Sequence, residues 1–206
     1  MKVLLINGSP HPKGCTHAAL SEVARALDDN GVSAELIHTG SRVQGCVACG
    51  RCATSGHCTF GDDGVNRAID LLREADGLVV GSPVHYASAA AALCGFLDRM
   101  FYGKSAAYAL KPAAAVVSCR RGGASASFDR LNKYFTISAM PVVSSNYWNE
   151  VHGTTPEEVR QDVEGMQTMR VLGNAMAWMV RAFALARAQG LPPPVLEPKV
   201  FTNFIR

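Results

Sequence analysis

The chain opens MKVLLINGSP (residues 1–10), and these ten residues decide how the rest is read. Val3-Leu4-Leu5-Ile6 is a continuous apolar run without the alternation of a half-exposed strand. Such a run suits a strand buried on both faces, as in a parallel sheet. Asn7-Gly8-Ser9-Pro10 ends it with turn-forming residues. Beyond the turn, Leu20, Val23, Ala24 and Leu27 fall at i, i+3, i+4 and i+7, with Glu22, Arg25 and Asp28 off that stripe. This is an amphipathic helix that Thr16 is placed to cap and Gly31 follows.

The same strand-loop-helix alternation continues outward. Ala34 to Ile37 reads as a second strand. Asp62 or Asp63 is placed to cap a helix whose apolar face is Val65, Ala68, Ile69 and Leu72. Gly77 to Val80 is a third strand ending in Gly81-Ser82-Pro83, and a helix runs from about Ala89 to Met100. Ala113 to Val117 is a fourth strand, and Phe128, Leu131 and Phe135 mark the next helix. Pro141-Val142-Val143 is a short fifth strand. A final helix over about 156–189 starts with Thr155 as cap and Pro156 in its first turn. Its stripe is Met169, Leu172, Met176, Met179 and Phe183, and Gly190 with Pro192-Pro193-Pro194 stops it. Alternation of this kind predicts an α/β fold, a doubly wound, five-stranded parallel sheet. The flavodoxin-like strand order 2-1-3-4-5 fits a single domain spanning 1–206.

Composition supports a globular chain: 48% of the 206 residues are apolar and 18% charged. A formal charge of +3 gives no argument for nucleic acid or a membrane surface. No apolar stretch is long enough to span a bilayer, and the opening run reads as a strand, not a signal peptide. The seven cysteines are an odd number, four of them in one short stretch, which points to a reducing cytoplasm.

In such sheets ligands sit beyond the carboxyl ends of the strands, at the switch point. Three loops therefore matter. The first, Gly8 to Thr16, leads into a helix N-terminus, where free N–H groups favour an anion. Ser9 and Thr16 add hydroxyls, Gly14 lets the backbone curl, and His11 and Lys13 offer charge. Neither Gly-Lys-[Ser/Thr] nor Gly-x-Gly-x-x-Gly is present, which disfavours a nucleoside triphosphate or a Rossmann-held dinucleotide. The second loop, Pro83-Val84-His85-Tyr86, offers a flat surface to a planar ring. In the third, Ser118 to Gly123, Arg120 or Arg121 could steady a reduced, anionic ring or a nicotinamide cofactor's phosphate. The plain alternatives are an ordinary strand-to-helix turn for the first loop, a Tyr86 that merely packs under the following helix for the second, and solvated surface arginines for the third.

A further motif lies in the loop over 43–60: Cys46-x2-Cys49-x2-Cys52-x5-Cys58. The C-x2-C-x2-C opening also begins a ferredoxin cluster run. Zinc and a metal-free loop of thiols are the alternatives, although zinc ligands usually fall into two widely separated pairs. Cys15, Cys94 and Cys119 read as lone thiols. On the last helix Val171, Trp178 and Leu185 recur every seven residues beside the main stripe. They suggest either a subunit interface or a deeply buried helix.

Taken in order, Gly8-Ser9-Pro10 with Gly14 and Thr16, Gly81-Ser82-Pro83-Val84-His85-Tyr86, and Phe96-Leu97-Asp98-Arg99 resemble the NADPH-dependent FMN reductase family of flavodoxin-like proteins. The four cysteines followed by Asp62-Asp63 resemble its iron–sulfur flavoprotein branch. The resemblance covers roughly residues 2 to 185. It implies an FMN phosphate cradle of Ser9, His11, Gly14, Cys15 and Thr16. It places Pro83, Val84, His85 and Tyr86 along the isoalloxazine ring, with Ser118, Arg121, Gly122 and Gly123 in the third flavin loop. It makes Cys46, Cys49, Cys52 and Cys58 the ligands of a 4Fe–4S cluster. Cys15 and His85 depart from the family pattern, which commonly has Asn and an aromatic there.

Two functions follow from the resemblance. One is an FMN enzyme that takes a hydride from NAD(P)H as co-substrate and reduces a small acceptor such as a quinone, flavin, azo or nitro compound. No side chain need act as nucleophile or base in it. The other is an electron carrier fed through the cluster by a ferredoxin-like partner. A ligand-free binding module on the same fold is the third and last reading. The resemblance also implies a homodimer or homotetramer.

Overall fold

The computed structural model describes residues 1–61, 63–103 and 105–203. Its first strand, β1 (Lys2–Asn7), has five successive buried residues, as the unbroken apolar run requires. Then come α1 (Cys15–Asp29), β2 (Ser33–His38), the short α2 (Cys52–Ser55), α3 (Val65–Glu74), β3 (Gly77–His85) and β4 (Ser88–Ala89). These are followed by α4 (Ala91–Tyr102), a 3-10 turn at Ser105–Tyr108, β5 (Ala113–Cys119) and α5 (Ala124–Ile137). The chain closes with β6 (Glu150–His152), α6 (Pro156–Gln161) and α7 (Val163–Ala188).

The strands pair in the order β2-β1-β3-β5-β6, all parallel, with β4 folded back antiparallel on the end of β3. Leaving out that hairpin strand, this is the expected 2-1-3-4-5 arrangement. Alternate strand residues feed two cores. Leu4, Ile6, Leu78, Val80, Ala115 and Val117 face α3, α4 and α5, while Val3, Leu5, Val79, Ala114 and Val116 face α1 and α7. Each fully buried large side chain contributes about 1.5–3 kcal/mol, so this double burial dominates the fold's stability. Gly173 lets α7 lie close on α1: a Cβ there would stand 2.6 Å from Ala26 Cβ.

Several local expectations are corrected. The fifth strand is Glu150–His152, not Pro141–Val143. Val142 makes only an isolated bridge to Ala113 before the chain leaves the sheet and rejoins it. Pro141 has no N–H to continue a ladder. The third strand does not stop at Val80 but runs to His85, with Pro83 in register with Ser118. The final helix is two helices, broken at Asp162. Thr155 caps the first, accepting from the Glu158 N–H at 3.2 Å, and Asp162 caps the second, accepting from Gly165 N–H at 2.9 Å. Thr16 does not cap α1: the helix begins at Cys15 with Gly14 at its N-cap. Asp63 does not cap α3 either, because Gly64 holds that place in the left-handed region (φ +82°). Asp62 lies outside the described residues.

Candidate functional site

The first loop is held from three sides. Asn7, at the end of β1, accepts the Ser9 N–H at 3.1 Å and donates to the Pro12 carbonyl at 3.1 Å. His38, at the end of β2, bonds the Ser9 carbonyl through Nε2 at 2.7 Å. Within the loop Ser9 Oγ accepts from the His11 N–H. Thr16 Oγ1 meets Ser118 Oγ at 2.8 Å in a buried contact that ties the first loop to the third. In α1 the first i to i−4 bond comes from Ala18 to Gly14. The N–H groups of Cys15, Thr16 and His17 precede it and so point toward the loop. No acidic residue stands in this first turn, so the helix end favours an anion.

These loops enclose one cavity of about 600 Å³ at the carboxyl edge of the sheet, a volume suited to a cofactor. Ser9, His11, Gly14, Cys15, Thr16, Pro83, Val84, His85 and Ser118 all line it, as do Lys13, Cys119 and Arg120. A fourth wall, with no counterpart among the three loops expected from sequence, runs from Gly153 after β6 to Glu157 in the first turn of α6. The Thr155-Pro156 capping signal was read as a helix start. Its place at the carboxyl edge is set by β6, three residues long and without a sequence pattern. Cys15 Sγ reaches the Gly153 carbonyl at 3.7 Å.

Charge around the cavity is mixed. Burial, then Lys13, Arg160 and His38, hold the His17 imidazole below its usual value. Burial raises the Cys15 thiol, and Glu158 and Glu157 add to it. Burial likewise raises Cys119. The cations Lys13 and Arg160 thus act on His17, and the carboxylates Glu157 and Glu158 on Cys15.

Tyr86, Arg121, Gly122 and Gly123 do not line the cavity. Tyr86 stands fully exposed at the tip of the β3–β4 hairpin. Gly123 instead lies against that hairpin: a Cβ there would come within 2.6 Å of Ala87 Cα. The third loop therefore braces the second.

The four cysteines of the other motif surround a separate small pocket of about 20 Å³, with Phe60, Arg99 and Tyr102 also in its wall. Cys46 and Cys49 are exposed, and Cys52 and Cys58 half-buried. Burial raises the Cys52 thiol, with Cys46, Cys58 and Cys49 adding to the effect. Among the described residues no group of three or more His, Cys, Asp or Glu side chains is gathered to hold a metal ion. Arg99, buried in α4, donates to Cys58 Sγ at 3.1 Å and forms an ion pair with Asp63. Cys94, also in α4, is half-buried and free.

A sequence model described as NADPH-dependent FMN reductase matches residues 1–155. An iron-sulfur flavoprotein of Methanocaldococcus jannaschii is 31% identical over 190 residues, 88% of this chain and 98% of that protein. An iron-sulfur flavoprotein of Methanosarcina thermophila is 27% identical, covering 82% of this chain and 90% of its own. Among solved structures, RosB with bound 8-demethyl-8-formylriboflavin-5'-phosphate superposes with a TM-score of 0.70 at 15% identity, over 100% of this chain and 93% of that one. A flavodoxin from the domain Archaea gives 0.61 at 16% identity, over 88% and 99%. At such identities these two structures show the shared fold.

Proposed function

This chain belongs to the NADPH-dependent FMN reductase family, and from that premise we propose an iron–sulfur flavoprotein that relays electrons between a ferredoxin-like partner and FMN. The observation that carries the reading is the coexistence of two pockets in one small chain. One takes in the first turn of α1, whose leading amides have no helical partner, and the other is walled by four thiols. The relatives named iron-sulfur flavoprotein support the same reading.

The cavity residues fit FMN, and the four thiols around the small pocket supply the donor set of a cluster without being gathered on one point. The Cys15, Thr16 and His17 amides, with the Ser9 and Thr16 hydroxyls and Lys13, would hold the phosphate of FMN. Pro83, Val84 and His85 form the wall along which its ring would lie. Cys46, Cys49, Cys52 and Cys58 would bind a 4Fe–4S cluster. Cys46 and Cys49 are on the exposed side of the thiol pocket, so that wall can open outward without disturbing the core. When bound, the flavin supplies one- or two-electron chemistry and the cluster one-electron chemistry; the protein supplies position, dryness and electrostatics.

A second reading rests on His85 and Arg120, exposed on the cavity wall where a nicotinamide and its phosphates could approach. In it the chain accepts a hydride from NADH or NADPH and passes electrons to a quinone, flavin, azo or nitro compound. We also place the protein in a reducing cytoplasm, on the strength of its free thiols. We propose a homodimer or homotetramer built through α7. Among the described residues no helix is long and apolar enough to cross a membrane.

Anaerobic purification followed by absorbance, iron, sulfide and flavin analysis tests the main reading. FMN together with about four irons per chain is the expected result. Protein that takes up no added FMN overturns both readings. FMN without iron, bleached by NADPH or NADH, replaces the first reading with the second.

A further inference from the structure

Arg99 is the largest fully buried side chain among the described residues, and it does not line the flavin cavity. Its donors all go to the cysteine loop and the segment after it. Nε–H reaches Cys58 Sγ at 3.1 Å, one terminal nitrogen reaches the Gln44 carbonyl at 3.2 Å and Asp63, and the other reaches the Phe60 carbonyl at 2.7 Å. The guanidinium also lies over the Phe60 ring, 5.4 Å from its centre.

Cys58 is gripped a second time, through its backbone. Asn66 of α3 accepts the Cys58 N–H at 2.7 Å and donates to the Cys58 carbonyl at 2.9 Å. Cys46 and Cys49, by contrast, are exposed. Gly45 and Gly50 beside them are so open that an added Cβ would meet nothing within 4 Å. One ligand sulfur is thus fixed to the core, while two of the others ride on open loop.

Stability alone explains a buried guanidinium poorly. A buried ion pair is often no better than apolar packing of the same volume. An apolar side chain cannot, however, donate a hydrogen bond to sulfur. Donors to the ligand sulfurs and nearby positive charge are among the factors that set a cluster's potential. One-electron reduction adds negative charge that the sulfurs share, and a buried cation beside them favours the reduced form.

We propose that Arg99 is a positioning residue for the cluster: it presents Cys58 as the preformed ligand and holds the reduction potential up through its bond to that sulfur. This rests on the cluster reading above. The test compares anaerobically loaded wild-type protein with Arg99→Lys, Arg99→Gln and the uncharged pair Asp63→Asn/Arg99→Gln. Lys keeps an ion pair with Asp63 but loses the Nε–H that reaches Cys58. Iron, sulfide and FMN are assayed, melting is followed by circular dichroism, and the midpoint is read by potentiometric titration with electron paramagnetic resonance detection.

The reduction equilibrium is expected to weaken about tenfold in each folded variant, a midpoint about 59 mV lower for one electron. Selective loss of iron from a variant that still melts cooperatively and holds FMN supports the same role. Full iron with an unmoved midpoint overturns the inference and leaves the cluster reading standing. Wild-type protein without iron overturns the cluster reading itself. If none of the variants folds, Arg99 belongs to the core alone and the inference is overturned.

Discussion

Tyr86 and Ala87 form the two-residue turn between β3 and β4 with φ of +47° and +58°. Such a turn needs the left-handed region at both positions and is usually built from Asn-Gly. Neither residue here is glycine, so the hairpin holds strain of about 1–2 kcal/mol at each position. Gly123 (φ +88°) makes room for it: a Cβ would lie 2.6 Å from Ala87 Cα and 2.8 Å from Val84 Cγ1. Gly123→Ala is therefore expected to cost about 2 kcal/mol or more, from backbone strain and the clash together. Both a lower melting temperature and weaker FMN uptake should register it, because Val84 lines the cavity. Alkaline stability depends in part on a different residue. Tyr108 is fully buried, and burial pushes its phenol up from 10 to about 12. The native state keeps its proton where the unfolded chain has lost it. Stability is therefore complete below pH 10 and falls as pH rises through 12, by about 2–3 kcal/mol. Denaturant titrations of wild type and Tyr108→Phe between pH 9 and 12 check this: the variant should lose part of the slope, the rest remaining with Tyr134, whose phenol burial and Asp98 also push up.

Among the elements, Asp162 ends α6 and ties two more pieces together. Its side chain caps α7 through Gly165 N–H at 2.9 Å and accepts the His152 N–H of β6 at 2.7 Å. Asp162→Ala removes the cap and frees the end of the edge strand, an expected loss of about 1–2 kcal/mol. Hydrogen exchange should speed up at Gly165 and His152 first. The break at Asp162 shows where sequence reading stops working. Strands β1, β3 and β5 were legible because burial on both faces leaves nearly unbroken apolar runs. The helices were legible because their stripes follow the helical period. β6, only three residues long, has just one buried residue and no pattern to find. Helix α7 hid its true start because a single residue, Asp162, separates it from α6. The cavity's three main loops were found from strand ends alone. The grip of Arg99 on Cys58 spans 41 positions of sequence and leaves no local signal.

At the scale of the whole molecule, the charge of +3 is too small to keep copies apart, and α7 presents an apolar line to solvent. Trp178 is 71% exposed and Leu185 63%, with half-buried Val171 one spacing earlier. Single exposed apolar residues are ordinary, but a tryptophan in a line of spacing seven along one helix forms a continuous ridge. The small Ala175 and Ala182 between these residues leave hollows that the large side chains of a second copy can fill. A two-fold axis would set the ridge against its own copy, so one helix face serves both partners. Burying a large apolar side chain contributes about 1.5–3 kcal/mol, and a two-fold interface counts each twice. Trp178→Glu replaces that gain with a carboxylate that must lose water on association. Sedimentation velocity across a concentration series should show wild-type dimers or tetramers and a variant whose self-association is weaker by about a hundredfold or more. The circular dichroism spectrum of the variant should match wild type, because the Trp178 side chain faces outward from the core. A wild-type chain that sediments as a monomer at every concentration would rule out α7 as a subunit interface.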